Sequence, residues 1–268
     1  MSITATRPLT LITGASQGIG ADFARIFASK GHDLALVARN GTRLNEVADE
    51  ISAKGGPRPL VIPLDLSLPG AAGRLVAALR AEGGSVQVLV NNAGFGLLGD
   101  FADVDSKGHL EIIDLNIRVL VEMTALFLPE ITAAKGKILN VASIAAFIPG
   151  PGLSVYYATK AFVLRFSQAL SHEMKKHGVV VSCLCPGPVT TGFQARAGFT
   201  PGLLLMKLST MDSITVAKIG YRGLMAGNRV NIAGWGNKVI LGAVRLTPHS
   251  LLLPILAFMQ KSRNVKNP

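Results

Sequence analysis

From Leu9 to Cys185, short apolar runs alternate with longer segments whose apolar residues recur at helical spacing. Leu9 to Thr13 reads as a buried strand, and the segment near 18–30, with Ala21, Ala24, Ile26 and Phe27, reads as a helix. The unit repeats as strand Asp33 to Ala38 with helix 41–54, strand Leu60 to Pro63 with helix 70–82, and strand Val86 to Val90 with a helix near 106–131. Strand Lys137 to Val141, a helix near 155–177 and strand Val179 to Cys185 complete it. Strands alternating with helices predict an α/β fold, a Rossmann-type doubly wound parallel sheet with helices on both faces. One domain is expected over residues 1–268, with no linker, repeat or low-complexity tract. Residues 190–215 depart from the pattern, with Gly192, Gly198, Pro201 and Gly202 among apolar residues, as a lid above the sheet would.

Hydrophobic residues make up 49% of the chain and charged ones 16%, which excludes a disordered chain and suggests a well-covered sheet or a buried subunit interface. A homo-oligomer, dimer or tetramer, is expected. No apolar run is long enough to span a membrane, and the residues before Leu9 are too few for a signal peptide, so a cytoplasmic protein is expected. Cys183 and Cys185 are two apart in a strand-like run; their side chains share a face, and buried free thiols are expected rather than a redox or metal pair. No metal site is expected. Charge divides unevenly: residues 1–134 carry 11 Lys/Arg against 14 Asp/Glu, whereas residues 135–268 carry 16 against 2. No acidic residue follows Asp212. This basic region could meet an anionic substrate, a membrane surface or nucleic acid, or be a solvated face.

Thr13-Gly14-Ala15-Ser16-Gln17-Gly18-Ile19-Gly20 joins the first strand to the first helix, where backbone N–H groups and a helix N-terminus attract a pyrophosphate. A site selective for NAD would place a carboxylate at the end of the second strand, but this chain has Ala38-Arg39-Asn40 there, and Asp33 lies at the other end. Arg39, joined by Arg43 one turn into the next helix, can pair with a 2′-phosphate, which predicts NADP(H) over NAD(H). Further along, Tyr156 and Lys160 would stack on one helix face, with Ser143 thirteen residues upstream of the tyrosine. A phenol titrates near ~10 in water, so acid/base work at neutral pH calls for a nearby cation, and the lysine is placed to supply it.

These motifs occur together with Asp65-Leu66, Asn91-Asn92-Ala93-Gly94, Asn116, and Pro186-Gly187 followed by Val189 and Thr191. In that order, over at least residues 8–195, the chain resembles the short-chain dehydrogenase/reductase superfamily. The resemblance implies that Asp65 and Leu66 contact the adenine, and that Asn92, Ala93 and Gly94 line the cofactor. Gly14, Ser16, Gln17, Gly18, Ile19 and Gly20 would cradle the phosphates, with Arg39, Asn40 and Arg43 at the adenosine. Pro186, Gly187 and Val189 would pass beside the nicotinamide, where Thr191 could bond its carboxamide or simply cap a helix. For catalysis the resemblance implies Ser143 bonding the substrate oxygen and Tyr156 as general acid or base, with Tyr156 also among the residues that contact the cofactor. Lys160 would lower the tyrosine's pKa and bond the nicotinamide ribose, and Asn116 would hold a water relay. Tyr157 is the competing tyrosine, but four residues beyond it stands Ala161, which assigns it to packing or pocket wall.

The reading is therefore an NADP(H)-dependent oxidoreductase interconverting a carbonyl compound and its alcohol. The segments expected to frame the substrate, Phe95 to Leu98, Ala145 to Leu153 and Phe193 to Met211, are strongly apolar, suggesting a bulky ketone, 3-oxoacyl compound or steroid-like molecule. Arg196 and Lys207 could meet an acidic group on it. The tail from Lys238 to Arg263 could pack on a partner subunit or lie on an anionic membrane surface. A non-catalytic NADP(H)-sensing regulator on the same fold is the alternative. Nucleic-acid binding is not expected, because no recognition motif accompanies the charge.

Overall fold

The computed structural model describes residues 7–189, 210–248, 251–254 and 256–257. Its core is one seven-stranded sheet in the order β3-β2-β1-β4-β5-β6-β7, with every pairing parallel. The strands are β1 (Arg7–Thr13), β2 (Leu34–Ala38), β3 (Leu60–Pro63), β4 (Gly84–Asn91), β5 (Lys137–Val141), β6 (Val180–Cys185) and β7 (Val230–Ile232). Between them run α1 (Gly18–Ser29), α2 (Gly41–Ala53), α3 (Ala71–Ala81), α4 (Ser106–Ile113), α5 (Val119–Ala133), α6 (Ser154–Met174) and α7 (Ser213–Met225), and α8 (Trp235–Leu246) follows β7.

Successive residues of each strand serve opposite faces, so each strand needs apolar residues on both sides. Ile12, Leu36 and Val90 pack with Phe23 and Phe27 of α1, Leu44 and Val47 of α2, and Val216 and Leu224 of α7. Leu11, Val37 and Leu89 point the other way, to Leu75 of α3, Phe127 of α5 and Leu170 of α6. The chain changes faces between β3 and β4, so the loops after neighbouring β1 and β4 diverge and open a crevice at the carboxyl edge of the sheet.

The expected elements are present through β6. The segment expected as one helix near 106–131 is instead α4 and α5 joined by a π-helical turn, Asp114–Arg118. The excursion expected over 190–215 ends earlier: Val189 bridges Met211, and Asp212 caps α7 by accepting the Thr215 N–H at 2.7 Å. Its residues 190–209, with Arg196, Lys207 and Thr191, lie outside the described residues. Among the described residues no helix is long and apolar enough to cross a membrane.

Candidate active site

The turn after β1 is shaped by close backbone packing. Gly14 has φ +66°, and a Cβ on Gly20 would fall 2.2 Å from the Gly14 carbonyl oxygen, so any side chain there would force the turn open. Asn92 fastens this turn to the end of β4: its Nδ2 donates to the Thr13 and Gly14 carbonyls at 2.9 and 3.2 Å. The Thr13 hydroxyl in turn accepts the Asn92 and Ala93 N–H groups, both at 3.0 Å. Gln17, the residue before α1, makes no side-chain cap, and no acidic residue occupies the first turn of α1. Unfilled N–H groups, no competing carboxylate and a cradle without side chains fit a dinucleotide pyrophosphate.

Arg39, Asn40 and Arg43 gather beside this turn. Asn40 caps α2 by accepting the Arg43 N–H at 3.0 Å, and the Arg43 guanidinium donates to Gln17 Oε1 at 2.5 Å. Arg39 faces Asp65 at 3.8 Å with its side chain 62% exposed. Burial pushes the Asp65 carboxyl up, but hydrogen bonds from Ser67 and the charge of Arg39 outweigh it and leave it below the usual range. Leu66 is buried in the core beside α3. Asp33 is bound to Arg7 at 2.9 Å, at the opposite edge of the sheet.

Deeper in the crevice, the π turn carries Asn116 inward, where it is 2% exposed. Its Nδ2 donates to the Phe95 carbonyl and the Thr159 hydroxyl, both at 3.0 Å, and its Oδ1 accepts the Phe95 N–H at 3.1 Å. Both amide protons are thus spent on holding the loop after β4 against α6. A π turn is a costly irregularity that recurs at functional sites, and here it serves to aim one side chain. Lys160, 6% exposed, donates to the Val141 carbonyl at 3.0 Å, and burial pushes it down to about 8.

Ser143, just past β5, accepts the Ala145 N–H at 3.1 Å, donates to the Pro186 carbonyl at 3.5 Å, and stands near enough to the Tyr156 phenol to act on its proton affinity. The Tyr156 ring lies against the backbone of Gly96, where a Cβ would approach it to 2.9 Å. Burial holds the phenol well above its ordinary value, and the Ser143 hydroxyl only partly offsets this. The sequence had suggested a phenol lowered by Lys160. The structure differs because the ammonium is turned to Val141, 5.8 Å from the ring centroid, and desolvation prevails. Tyr157 packs against Gly150, where a Cβ would meet its ring at 2.4 Å.

Asn140, Ser167 and Asn237, not singled out from the sequence, support this set together with residues that were. Asn91 and Asn140 are register partners on β4 and β5; Asn91 Nδ2 donates to Asn140 Oδ1 at 2.9 Å, and Asn140 Nδ2 to the Ser167 hydroxyl at 2.9 Å. An asparagine near the end of each of two buried strands was the available signal. Below Lys160, Cys183 and Cys185 are buried free thiols with Sγ atoms 3.9 Å apart. The Pro186-Gly187 turn is backed by Asn237 of α8. This asparagine is 1% exposed, donates to the Ala233 carbonyl at 2.6 Å, and leaves its Oδ1 without a hydrogen-bond partner.

With this geometry in place, the comparison with known families is decisive: the short chain dehydrogenase profile matches residues 8–200. The chain belongs to the short-chain dehydrogenase family. Members of this family are oxidoreductases, and the alignments agree with that assignment. A very-long-chain 3-oxoacyl-CoA reductase of Pyrenophora tritici-repentis is 34% identical over 218 residues, covering 80% of this chain but 63% of the relative. Oxidoreductase UcpA of Escherichia coli is 34% identical over 188 residues, 69% of this chain and 71% of the relative. Among solved structures, a Sphingobium yanoikuyae short-chain dehydrogenase in complex with NADPH superposes with a TM-score of 0.78 at 31% identity, covering 91% of this chain and 97% of that one. A bulky-bulky ketone specific alcohol dehydrogenase from Comamonas testosteroni gives 0.73 at 27% identity, with 91% and 96% covered. In this short-chain dehydrogenase the crevice therefore unites Asn116, Ser143, Tyr156 and Lys160 at one end and Arg39, Asn40, Arg43 and Asp65 at the other.

Proposed function

We propose that the chain is an NADP(H)-dependent oxidoreductase that interconverts a bulky, apolar carbonyl compound and its alcohol. The observation that carries this reading is the convergence of Ser143, Tyr156 and the buried Lys160 beside Asn116 at the carboxyl edge of the sheet. Bound in the crevice, the nicotinamide supplies or accepts the hydride. The turn from Gly14 to Gly20, with Ser16, Gln17, Gly18 and Ile19, would hold the pyrophosphate, and Asp65 with the backbone of Leu66, whose side chain is in the core, the adenine. Arg39 and Arg43, with Asn40, would hold the 2′-phosphate, since a guanidinium pairs with phosphate through two parallel N–H donors. Asn92, Ala93 and Gly94 on one side, and Pro186, Gly187 and Val189 on the other, would flank the nicotinamide end.

In this reading Ser143 bonds the substrate oxygen beside Tyr156, which polarises a carbonyl and fixes its distance from the phenol. Tyr156 transfers the proton to that oxygen. Its phenol is protonated at neutral pH, so it is the acid when a carbonyl is reduced, and the same oxygen takes the proton back when an alcohol is oxidised. Lys160 keeps a proton near neutral pH and can refill the phenol from below, and the second lone pair of Asn116 Oδ1 is the acceptor left for a water between them. The ketone named for the Comamonas structure and the acyl thioester named for the fungal relative support a large, apolar substrate. The half-exposed Phe147, just beyond Ser143, supports it too.

A panel of bulky ketones, 3-oxoacyl thioesters and steroid ketones, followed by loss of NADPH absorbance, tests the proposal. Turnover of at least one class is expected, with NADH used less well. Cofactor binding without consumption across the panel and its alcohols would favour the sensor reading instead.

A further inference from the structure

The outer face of α8 has no role in the crevice. Its inner face is anchored by Asn237, which lies against Gly187, and by Leu241, both buried. The helix also packs on the 3-10 turn Ile144–Phe147 that follows Ser143. On the opposite side Trp235 is 80% exposed and Val239, one turn on, is 50% exposed. Beyond the helix Leu251 and Leu253 are 60% and 43% exposed. Lys238 lies exposed beside this apolar ridge.

A large aromatic, a branched aliphatic and a lysine on an outward helix face call for a covering partner, and the charge of the region decides which kind. No Asp or Glu follows Asp212, while Lys218, Arg222, Arg229, Lys238, Arg245, Lys261, Arg263 and Lys266 all do. A second copy meeting this face about a two-fold axis would bring Lys238 toward its own copy with no carboxylate from residues 213–268 to pair it, which costs energy at short range. An anionic lipid surface has the complementary charge. It also offers an interfacial layer in which an indole ring sits favourably while lysines reach the headgroups.

We propose that α8 docks the protein on anionic phospholipid, with Trp235 and Val239 at the acyl boundary and Lys238 among the headgroups. Because α8 is pinned to Gly187 and to the turn after Ser143, docking would set the mouth of the crevice beside the bilayer. An apolar substrate could then pass from lipid to Tyr156 without crossing bulk water.

Trp235 is the chain's one tryptophan, so its emission reports this face alone. The full-length protein is mixed with phosphatidylcholine vesicles, with or without phosphatidylglycerol, and followed by flotation and by Trp235 emission. A blue shift and co-flotation are expected only with the anionic vesicles, and raised salt should reverse both. Trp235→Ala should weaken partitioning about tenfold through lost apolar contact. Lys238→Glu should weaken it about fivefold for the charge removed and as much again for the charge added. Both variants should keep normal NADPH binding and folding, because the side chains are exposed and outside the crevice. Three outcomes would overturn the proposal. One is no association with anionic vesicles at low ionic strength, and another is Trp235→Ala floating like the parent. The third is a blue shift that follows protein concentration without vesicles, which would mean that a second copy covers the face.

Discussion

At the catalytic end of the crevice Asn116 and Lys160 are 2% and 6% exposed, and each is bonded to a backbone carbonyl; at the other end the Arg39 side chain is 62% exposed and stands 3.8 Å from Asp65. The first arrangement is held by groups that cannot leave without stranding a buried polar atom, which costs about 1–3 kcal/mol each. The second is held by exposed charges, whose pairing contributes about 0–1 kcal/mol. Under the proposed function proton transfer needs atoms fixed to a fraction of an ångström, and the locked end meets that need. Choosing between cofactors needs only a charge of the right sign at the rim, which one substitution can reverse.

Breaking the locked end should have the largest effect. Tyr156→Phe removes the transferred proton while keeping the ring against Gly96, and turnover should fall about 10³-fold, as loss of a positioned acid does. A steady-state assay checks this.

Lys160→Met sharpens the contrast through stability. Burial depresses the folded-state value of Lys160 from 10.5 to about 8, so protonated Lys160 is a liability below pH 8 that is relieved as pH rises toward 10.5. The parent should therefore gain stability with rising pH from about 8 upward. Above pH 10 the raised Tyr156 works in the opposite sense, because the unfolded phenol loses its proton first. At neutral pH the methionine variant sheds a penalty of about 3 kcal/mol but strands the Val141 carbonyl at a cost of about 1–3 kcal/mol, so its stability should change little, while its pH slope between 8 and 10 should be flatter. Urea unfolding across that range measures both.

At the exposed end the effects should be smaller and confined to cofactor choice. Arg39→Asp should shift the kcat/KM ratio of NADPH to NADH by about 10- to 100-fold toward NADH, the worth of one charge-assisted phosphate contact. An unchanged ratio would remove Arg39 from the 2′-phosphate site. Arg43→Ala loses an exposed bond to Gln17 and should change stability by less than about 0.5 kcal/mol in thermal unfolding.

The same contrast explains what was legible in the sequence. The strands up to Cys185 showed themselves because both faces are buried, and the Gly-rich turn, Ser143, Tyr156 and Lys160 because their spacing follows from one strand-turn-helix unit and one helix face. The positive end of the crevice was legible as a missing carboxylate after β2. The π turn under Asn116 was not, since the sequence around it reads as continuous helix and only the pull of Phe95 and Thr159 shows why it widens. Elements after residue 210 were missed for a different reason. β7 is three residues long, Val230–Ile232, and acquires strand character only by pairing with β6. The orphaned Oδ1 of Asn237 depends on α8 folding over Gly187, a contact between distant segments that no local pattern encodes.

The proposed function rests on Tyr156 as the group that moves the proton, while cofactor binding is shared among Tyr156 and the many other residues along the crevice. Titrating NADPH into Tyr156→Phe and the parent, and following its consumption after substrate is added, tests this most directly. The variant should bind NADPH within about threefold of the parent, since a conservative change of this kind leaves the other contacts intact, yet consume almost none of it. A variant that binds and consumes NADPH as fast as the parent would contradict the account.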